Sequence, residues 1–222
     1  LNRISIAARA GTIAVPPRVT LRDTVRVTLT VRSTAVPKKS LGQHFLTDPG
    51  ILERIVEFSR VGPGDTVVEI GPGRGTLTRV LARRAAQVYA IEVDGDLIGP
   101  LEDVLPANVT LIAADALDVD YTNICPAPYH IVANLPYNIS TPLIERFVAA
   151  RALIGSVTVL VQREVADRIL AAPGTREYSP LTIGVQYFAE VERGFVLKPG
   201  SFSPPPKVDS RVIRMEWRSG AG

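Results

Sequence analysis

The sequence predicts an α/β fold: a mostly parallel, doubly wound sheet with helices on both faces. Two observations predict it. Short apolar runs of strand length recur along the chain and alternate with stretches of helical periodicity. One of these runs, Thr66–Ile70, leads straight into Gly71-Pro72-Gly73-Arg74-Gly75 and then into a helical pattern from Thr76. Strand, glycine turn and helix in that order make a nucleotide-cradling unit of open parallel sheets.

Taken in order, the first element is a helix over Ile51–Phe58, with Ile51, Leu52, Ile55 and Phe58 on one face. Thr47 or Asp48 caps it and Pro49 sits in its first turn. After Thr66–Ile70, a second helix presents Leu77, Val80, Leu81 and Ala85. Strands follow at Gln87–Val93, Val109–Ala113 and Tyr129–Ala133. Thr141 is the expected cap of a helix reaching about Ala150, with Leu143, Ile144 and Phe147 toward the sheet. Ser156–Val161 is the fifth strand, and a helix covers Gln162–Ala171. Pro173-Gly174-Thr175 is a surface turn and Leu181–Tyr187 a further helix. Glu190–Leu197 and Arg211–Trp217 close the chain as an antiparallel pair. Between them Pro204-Pro205-Pro206 forms a stiff extended segment.

The 222 residues suffice for one ordinary domain with appendages, and 46% apolar content supports a core. No run of eighteen apolar residues argues for a membrane span. The single Cys125 excludes an internal disulfide and suggests a reducing compartment; it reads as a loop thiol with no special role. His44 and His130 are too few and too scattered for a metal site, so no metal is expected. The formal charge of +3 misleads. Residues 1–36 hold six arginines and one aspartate, net +5, leaving 19 basic against 21 acidic groups, net −2, in the remainder. Any RNA-binding face must therefore be a local patch such as Lys38, Lys39, Lys198, Lys207, Arg211 and Arg214, and a solvated surface explains each of these charges equally simply.

Residues 1–36 stand apart as a basic extension, with Arg18-Val19-Thr20-Leu21 echoed at Arg26-Val27-Thr28-Leu29 and strand-like alternation from Val25 to Arg32. Three readings compete: a wrongly extended start, an added edge strand or hairpin, and an acid-poor transit segment. Poor order is expected there.

The chemistry gathers at strand ends. Asn134-Leu135-Pro136-Tyr137 follows the apolar run Tyr129–Ala133, at the carboxyl end where open α/β sheets bind ligands. Asn134 offers an amide oxygen and Leu135 a carbonyl, two acceptors for an exocyclic amine. Pro136 stiffens the turn, and Tyr137 offers a stacking face. These groups suit an adenine N6, whose lone pair is delocalised until its two N–H bonds are held; positioning then supplies most of the catalysis. The plainer alternative is a strand-ending turn with Asn as a cap. The glycine loop is G-x-G-x-G, with Thr76 where a dinucleotide fingerprint needs glycine. Glu92, about twenty residues past Gly71, suits both hydroxyls of a ribose, which NAD and S-adenosylmethionine share. Asp115, after Val109–Ala113, suits an adenine amino group.

Here the chain resembles the ribosomal RNA adenine N6-dimethyltransferases of the KsgA type, within the class I S-adenosylmethionine-dependent methyltransferases. The resemblance runs from about Lys38 to Glu216. It rests on Lys39-Ser40-Leu41-Gly42-Gln43-His44-Phe45-Leu46, Glu69-Ile70-Gly71-Pro72-Gly73, Asn134-Leu135-Pro136-Tyr137-Asn138-Ile139-Ser140 and Phe202-Ser203-Pro204-Pro205-Pro206-Lys207-Val208-Asp209-Ser210.

The resemblance implies a Rossmann-like class I methyltransferase with a seven-stranded, mostly parallel sheet and a late antiparallel strand. It implies S-adenosylmethionine as cofactor, held by His44, Leu46, Gly71, Gly73, Glu92, Asp115 and Asn134. It implies catalytic roles for Asn134, Leu135, Pro136 and Tyr137, with Phe202 over the other face of the target base. His44 stands where the family usually has Asn, and Arg74, where small or apolar residues are frequent, is expected to face solvent. Lys38, Lys39, Lys207 and Arg211 are the candidate RNA contacts.

The implied reaction is dimethylation of N6 on two adjacent adenines in the 3′-terminal hairpin of small-subunit rRNA, within a partly assembled subunit, by a cytoplasmic monomer. The alternatives are an antibiotic-resistance methyltransferase acting on large-subunit rRNA and a non-enzymatic ribosome-assembly factor. The catalytic domain is expected at residues 37–218, with a flexible tail at 219–222. The family's helical domain after the last strand is expected to be absent, through truncation of the sequence or natural shortening.

Overall fold

A computed structural model of the chain describes residues 43–219. The basic extension at 1–36, Lys38 and Lys39, and residues 220–222 of the tail lie outside the described residues.

Seven strands form one sheet: β2 (Thr66–Ile70), β3 (Gln87–Glu92), β4 (Val109–Ala113), β5 (Tyr129–Asn134), β6 (Ile154–Gln162), β7 (Ala189–Leu197) and β9 (Ser210–Trp217). Their order is β4-β3-β2-β5-β6-β9-β7. Neighbours from β4 to β6 pair in parallel, and β9 runs antiparallel to both β6 and β7. The sequence therefore predicted this architecture correctly, including the late antiparallel strand. After β2 the chain moves outward through β3 and β4, then returns to place β5 on the other side of β2, where Val67 faces His130 in register. That reversal opens a crevice beyond the carboxyl ends of β2 and β5.

The helices are α1 (Pro49–Ser59), α2 (Thr76–Arg84), α3 (Gly95–Glu102), α4 (Ser140–Ala149), α5 (Arg163–Ile169) and α6 (Pro180–Phe188). Asp48 caps α1 by accepting the N–H groups of Gly50 and Ile51. Thr141 does not cap α4: the helix starts one residue earlier, behind Ile139, without a side-chain cap. Apolar side chains from both sheet faces form two large core clusters, beside a small one of Phe45, Leu97 and Leu101. One gathers Tyr129, Ile131, Phe147 and Val157; the other gathers Leu52, Ile55, Val67, Leu81, Val132 and Val212. Along β5, Ile131 and Val132 thus face opposite clusters, as the two-residue period of a strand buried on both faces requires.

Three elements were not legible: α3, β1 (Phe45–Leu46) and β8 (Phe202–Ser203). The helix α3 contains Gly95, Gly99 and Pro100, which weaken the helical signal. A separate two-stranded pair joins β1 to β8, with Leu46 opposite Phe202. Two residues are too few to show a period. Among the described residues, no helix is long and apolar enough to cross a membrane.

Candidate active site

The crevice is an open cleft enclosing about 870 Å³ of space, the solvent at its mouth included. Its floor is the glycine loop after β2. Gly71 and Gly73 adopt φ of 66° and 60°, a left-handed region that disfavours side chains. Space forbids one at Gly73 as well: a Cβ there would lie 2.7 Å from the Phe45 ring.

Glu92 ends β3 and is 4% exposed. Its carboxylate accepts the backbone N–H of Gly73 at 3.1 Å and of Asp94 at 2.9 Å. Burial raises its pKa, and these two donors oppose the rise. The bond to Gly73 ties the acid to the loop, so the two move as one unit. Behind them Glu69 is completely buried, and desolvation pushes its carboxyl up to about 8. Among the described residues its Oε2 has no hydrogen-bond partner of good geometry, nor has the nearby Thr78 hydroxyl, which only tempers the rise. Asp115, after β4, is exposed in the cleft wall and accepts the Leu117 N–H through one oxygen.

Asn134 ends β5. Its side-chain amide donates to the main-chain carbonyl of His44 at 2.9 Å. A carbonyl only accepts, so the NH₂ must face His44 and Oδ1 must face away. No described donor takes that oxygen. Leu135 gives its N–H to Leu160, while no described donor takes its carbonyl. Two acceptors are thus left at the mouth of the turn. Beside them the Tyr137 ring is partly exposed and lies 5.3 Å from the His44 ring. The Tyr137 hydroxyl meets Ser210 Oγ at 2.5 Å, and burial raises its pKa.

Two free acceptors beside an aromatic face, next to a glycine loop tied to an acid, suit a purine amine and a nucleoside together. The sequence comparisons agree. Residues 36–221 match the profile of the family described as ribosomal RNA adenine dimethylase. The chain belongs to that family. It is 46% identical over 182 residues to ribosomal RNA small subunit methyltransferase A of Clostridium botulinum, covering 80% of this chain and 66% of that protein. The chain thus spans just under two thirds of the length of this relative. A dimethyladenosine transferase from Plasmodium falciparum superposes with a TM-score of 0.72 at 33% identity, covering 80% of this chain and 65% of that one. The 23S rRNA methyltransferase ErmE gives 0.67 at 32%, covering 79% and 70%.

The structure brings His44, Gly71, Gly73, Glu92, Asp115, Asn134, Leu135, Pro136 and Tyr137 around this one cleft. Two candidates fall elsewhere. Leu46 is 3% exposed in the second core cluster, and its carbonyl accepts the Thr76 hydroxyl. Phe202, expected over the target base, is 4% exposed and lies in the same cluster. Pairing of β8 with β1 turns its ring inward. Arg211 is not a surface contact for RNA: it is 7% exposed and its guanidinium pairs with Asp167. Arg214 is equally buried and pairs with Glu216. Lys198 is exposed but pairs with Asp209 at 2.8 Å, while Lys207 is exposed. Arg74 is exposed, with its guanidinium 4.9 Å above the Phe45 ring. Among the described residues no cluster of His, Cys, Asp and Glu is placed to hold a metal.

Sequence reasoning missed Gln43, which lines the cleft and donates to Asp94 at 2.9 Å. It also missed Ser210. Both lie inside recognised motifs, and their polar character was the available signal.

Proposed function

We propose that residues 37–218 form the catalytic domain of an enzyme that transfers methyl groups from S-adenosylmethionine to N6 of two adjacent adenines in the 3′-terminal hairpin of small-subunit rRNA. The observation that carries this reading is the Asn134–His44 bond, which turns the Asn134 amide oxygen toward an incoming donor beside Tyr137. The small-subunit relative at 46% identity favours the small-subunit target. The substrate is taken as a partly assembled subunit, the enzyme as a cytoplasmic monomer.

The cofactor's residues fit. Gly71 and Gly73 leave the loop without side chains where a ligand would approach the backbone. Glu92 keeps acceptor capacity beyond its two backbone donors for a ribose, and Asp115 has an oxygen left for an adenine amino group. Gly71, Gly73, Glu92, Asp115 and Asn134, with the main chain at His44, would hold the cofactor. When bound, it supplies an electrophilic methyl on a sulfonium.

The chain's residues do the rest by positioning. Tyr137 stacks against the extruded base. The Asn134 and Leu135 oxygens accept the two N6–H bonds, which holds the amine in place and directs its lone pair out of the ring plane. Neither oxygen is a strong base, so the gain comes from orientation and from oxygens already in place as positive charge develops on nitrogen, which then gives up its proton to solvent, the other product being a neutral thioether.

The test is tritium transfer to unmethylated small ribosomal subunits, followed by primer extension. Label at two adjacent adenines near the 3′ end is expected. Label in large-subunit RNA instead would favour the reading suggested by the likeness to ErmE. No transfer by a protein that binds the cofactor would favour an assembly role.

A further inference from the structure

The Phe202–Ser210 motif was expected to act through its aromatic ring. With that ring in the core, two other atoms of the segment bond residues that line the cleft. The Pro204 carbonyl bonds the His44 Nδ1 at 2.8 Å, and Ser210 Oγ bonds the Tyr137 hydroxyl at 2.5 Å. His44 and Tyr137 are the two rings in mutual contact at the cleft. We propose that Ser210 is a positioning residue whose hydroxyl holds the Tyr137 ring in the orientation that receives the target base.

The anchor sits in a strand and the ring in a loop. Ser210 is 0% exposed and opens β9, where it pairs with Gln162 of β6 on one side and Leu197 of β7 on the other. A strand flanked on both sides holds its backbone in place, and with it the Cβ that carries the hydroxyl. Tyr137 lies in the loop between β5 and α4, with its ring partly exposed. Among the described residues its hydroxyl makes one hydrogen bond, to Ser210, and its ring meets one aromatic neighbour, His44. Without the Ser210 contact the ring is free to swing about χ1, and a base arriving from the stack meets a moving surface. The prolines at 204–206 fit this arrangement. They hold the connection between the two anchor points extended and carry no N–H groups that need partners.

This inference rests on the proposed function, because the positioned base belongs to that reading. The plainer account is that a buried serine has simply found an acceptor. The two accounts differ in what Ser210→Ala changes. The test uses the full chain, with wild type, Ser210→Ala, Tyr137→Phe and the double variant, each also labelled with 3-fluorotyrosine. The Tyr137 fluorine signal is the one that Tyr137→Phe removes.

In Ser210→Ala, that signal should shift and broaden while the other five tyrosines stay unchanged. The kcat/KM for unmethylated subunits should fall about tenfold, the size expected for one lost hydrogen bond, with cofactor affinity within twofold of wild type. The double variant should be no worse than either single one, since both remove the same contact. Should Ser210→Ala misfold, Tyr137→Phe cuts the bond from the loop side and carries the kinetic comparison alone. An unchanged Tyr137 signal with unchanged kcat/KM overturns the proposal, as does an equal loss of cofactor affinity and transfer. If wild type transfers nothing to rRNA, the functional reading fails, and the fluorine signal still decides whether Ser210 orders the ring.

Discussion

The Asn134 side-chain amide donates to the main-chain carbonyl of His44, ninety residues earlier, at 2.9 Å. This one bond ties the end of β5 to the strand that leads into α1, and it determines which atom of the amide faces the cleft. Asn134→Ala should abolish methyl transfer, a loss of at least about a hundredfold given what one preorganised acceptor contributes. Cofactor binding should weaken but persist, because Glu92 and the glycine loop remain. Asn134→Asp should fare no better, since a carboxylate cannot donate to the His44 carbonyl. Paired transfer assays and cofactor titrations decide this, and an active Asn134→Ala enzyme would refute the site.

Gly73→Ala should damage cofactor binding and stability together. The new Cβ must sit at φ 60° and 2.7 Å from the Phe45 ring. Left-handed strain alone costs about 1–3 kcal/mol, and moving Phe45 disturbs β1 as well. A thermal melt and a calorimetric titration of the cofactor should both worsen. A variant with normal affinity would show that the loop tolerates a side chain.

Glu69 makes stability depend on pH. Its folded pKa of about 8 lies above the ordinary 4.5, so the native state holds a proton that the unfolded chain has released. Stability is therefore greatest below about pH 4.5 as far as this group is concerned, and falls as pH rises toward 8. Glu92, also raised by burial, adds in the same direction. At 1.36 kcal/mol per pKa unit, Glu69 contributes on the order of 3–5 kcal/mol across that window. Denaturant melts at pH 5.5 and 7.5 should show wild type losing stability and Glu69→Gln losing markedly less. Equal slopes would mean that Glu69 is ionised in the fold.

Phe202→Ala tests where that ring resides. A ring 4% exposed among Leu46 and Val212 should cost about 3–5 kcal/mol on truncation. Unfolding should shift to lower denaturant at unchanged m-value. A variant of wild-type stability that fails only in methyl transfer would return Phe202 to the target base.

The central strands β2, β3, β5 and β6 were legible because they are runs of mostly apolar residues buried on both faces, as at Val67-Val68 and Ile131-Val132. Asn134, Glu92 and Asp115 were legible because a polar residue at the carboxyl end of such a run has few other reasons to be there. The cap at α4 was misplaced by two residues, Thr141 for Ile139, since Ser140 and Thr141 both look like caps and the local signal does not show that they lie inside the helix. Arg211 could not be placed, since its burial depends on Asp167 of α5 lying beside β9.

The amino-acid sequence determined the order of the strands along the chain, the loop that needs glycine, and the polar groups presented at each strand end. These follow from periodicity and residue chemistry, which act over a few neighbouring positions. Only the tertiary structure decided that His44 orients Asn134, that Ser210 holds Tyr137, and that Phe202 turns inward. The first two contacts join residues 90 and 73 apart, and the third, in which Phe202 pairs with Leu46, reaches farther along the chain still. They depend on sheet order and register, which emerge from the packing of the whole core.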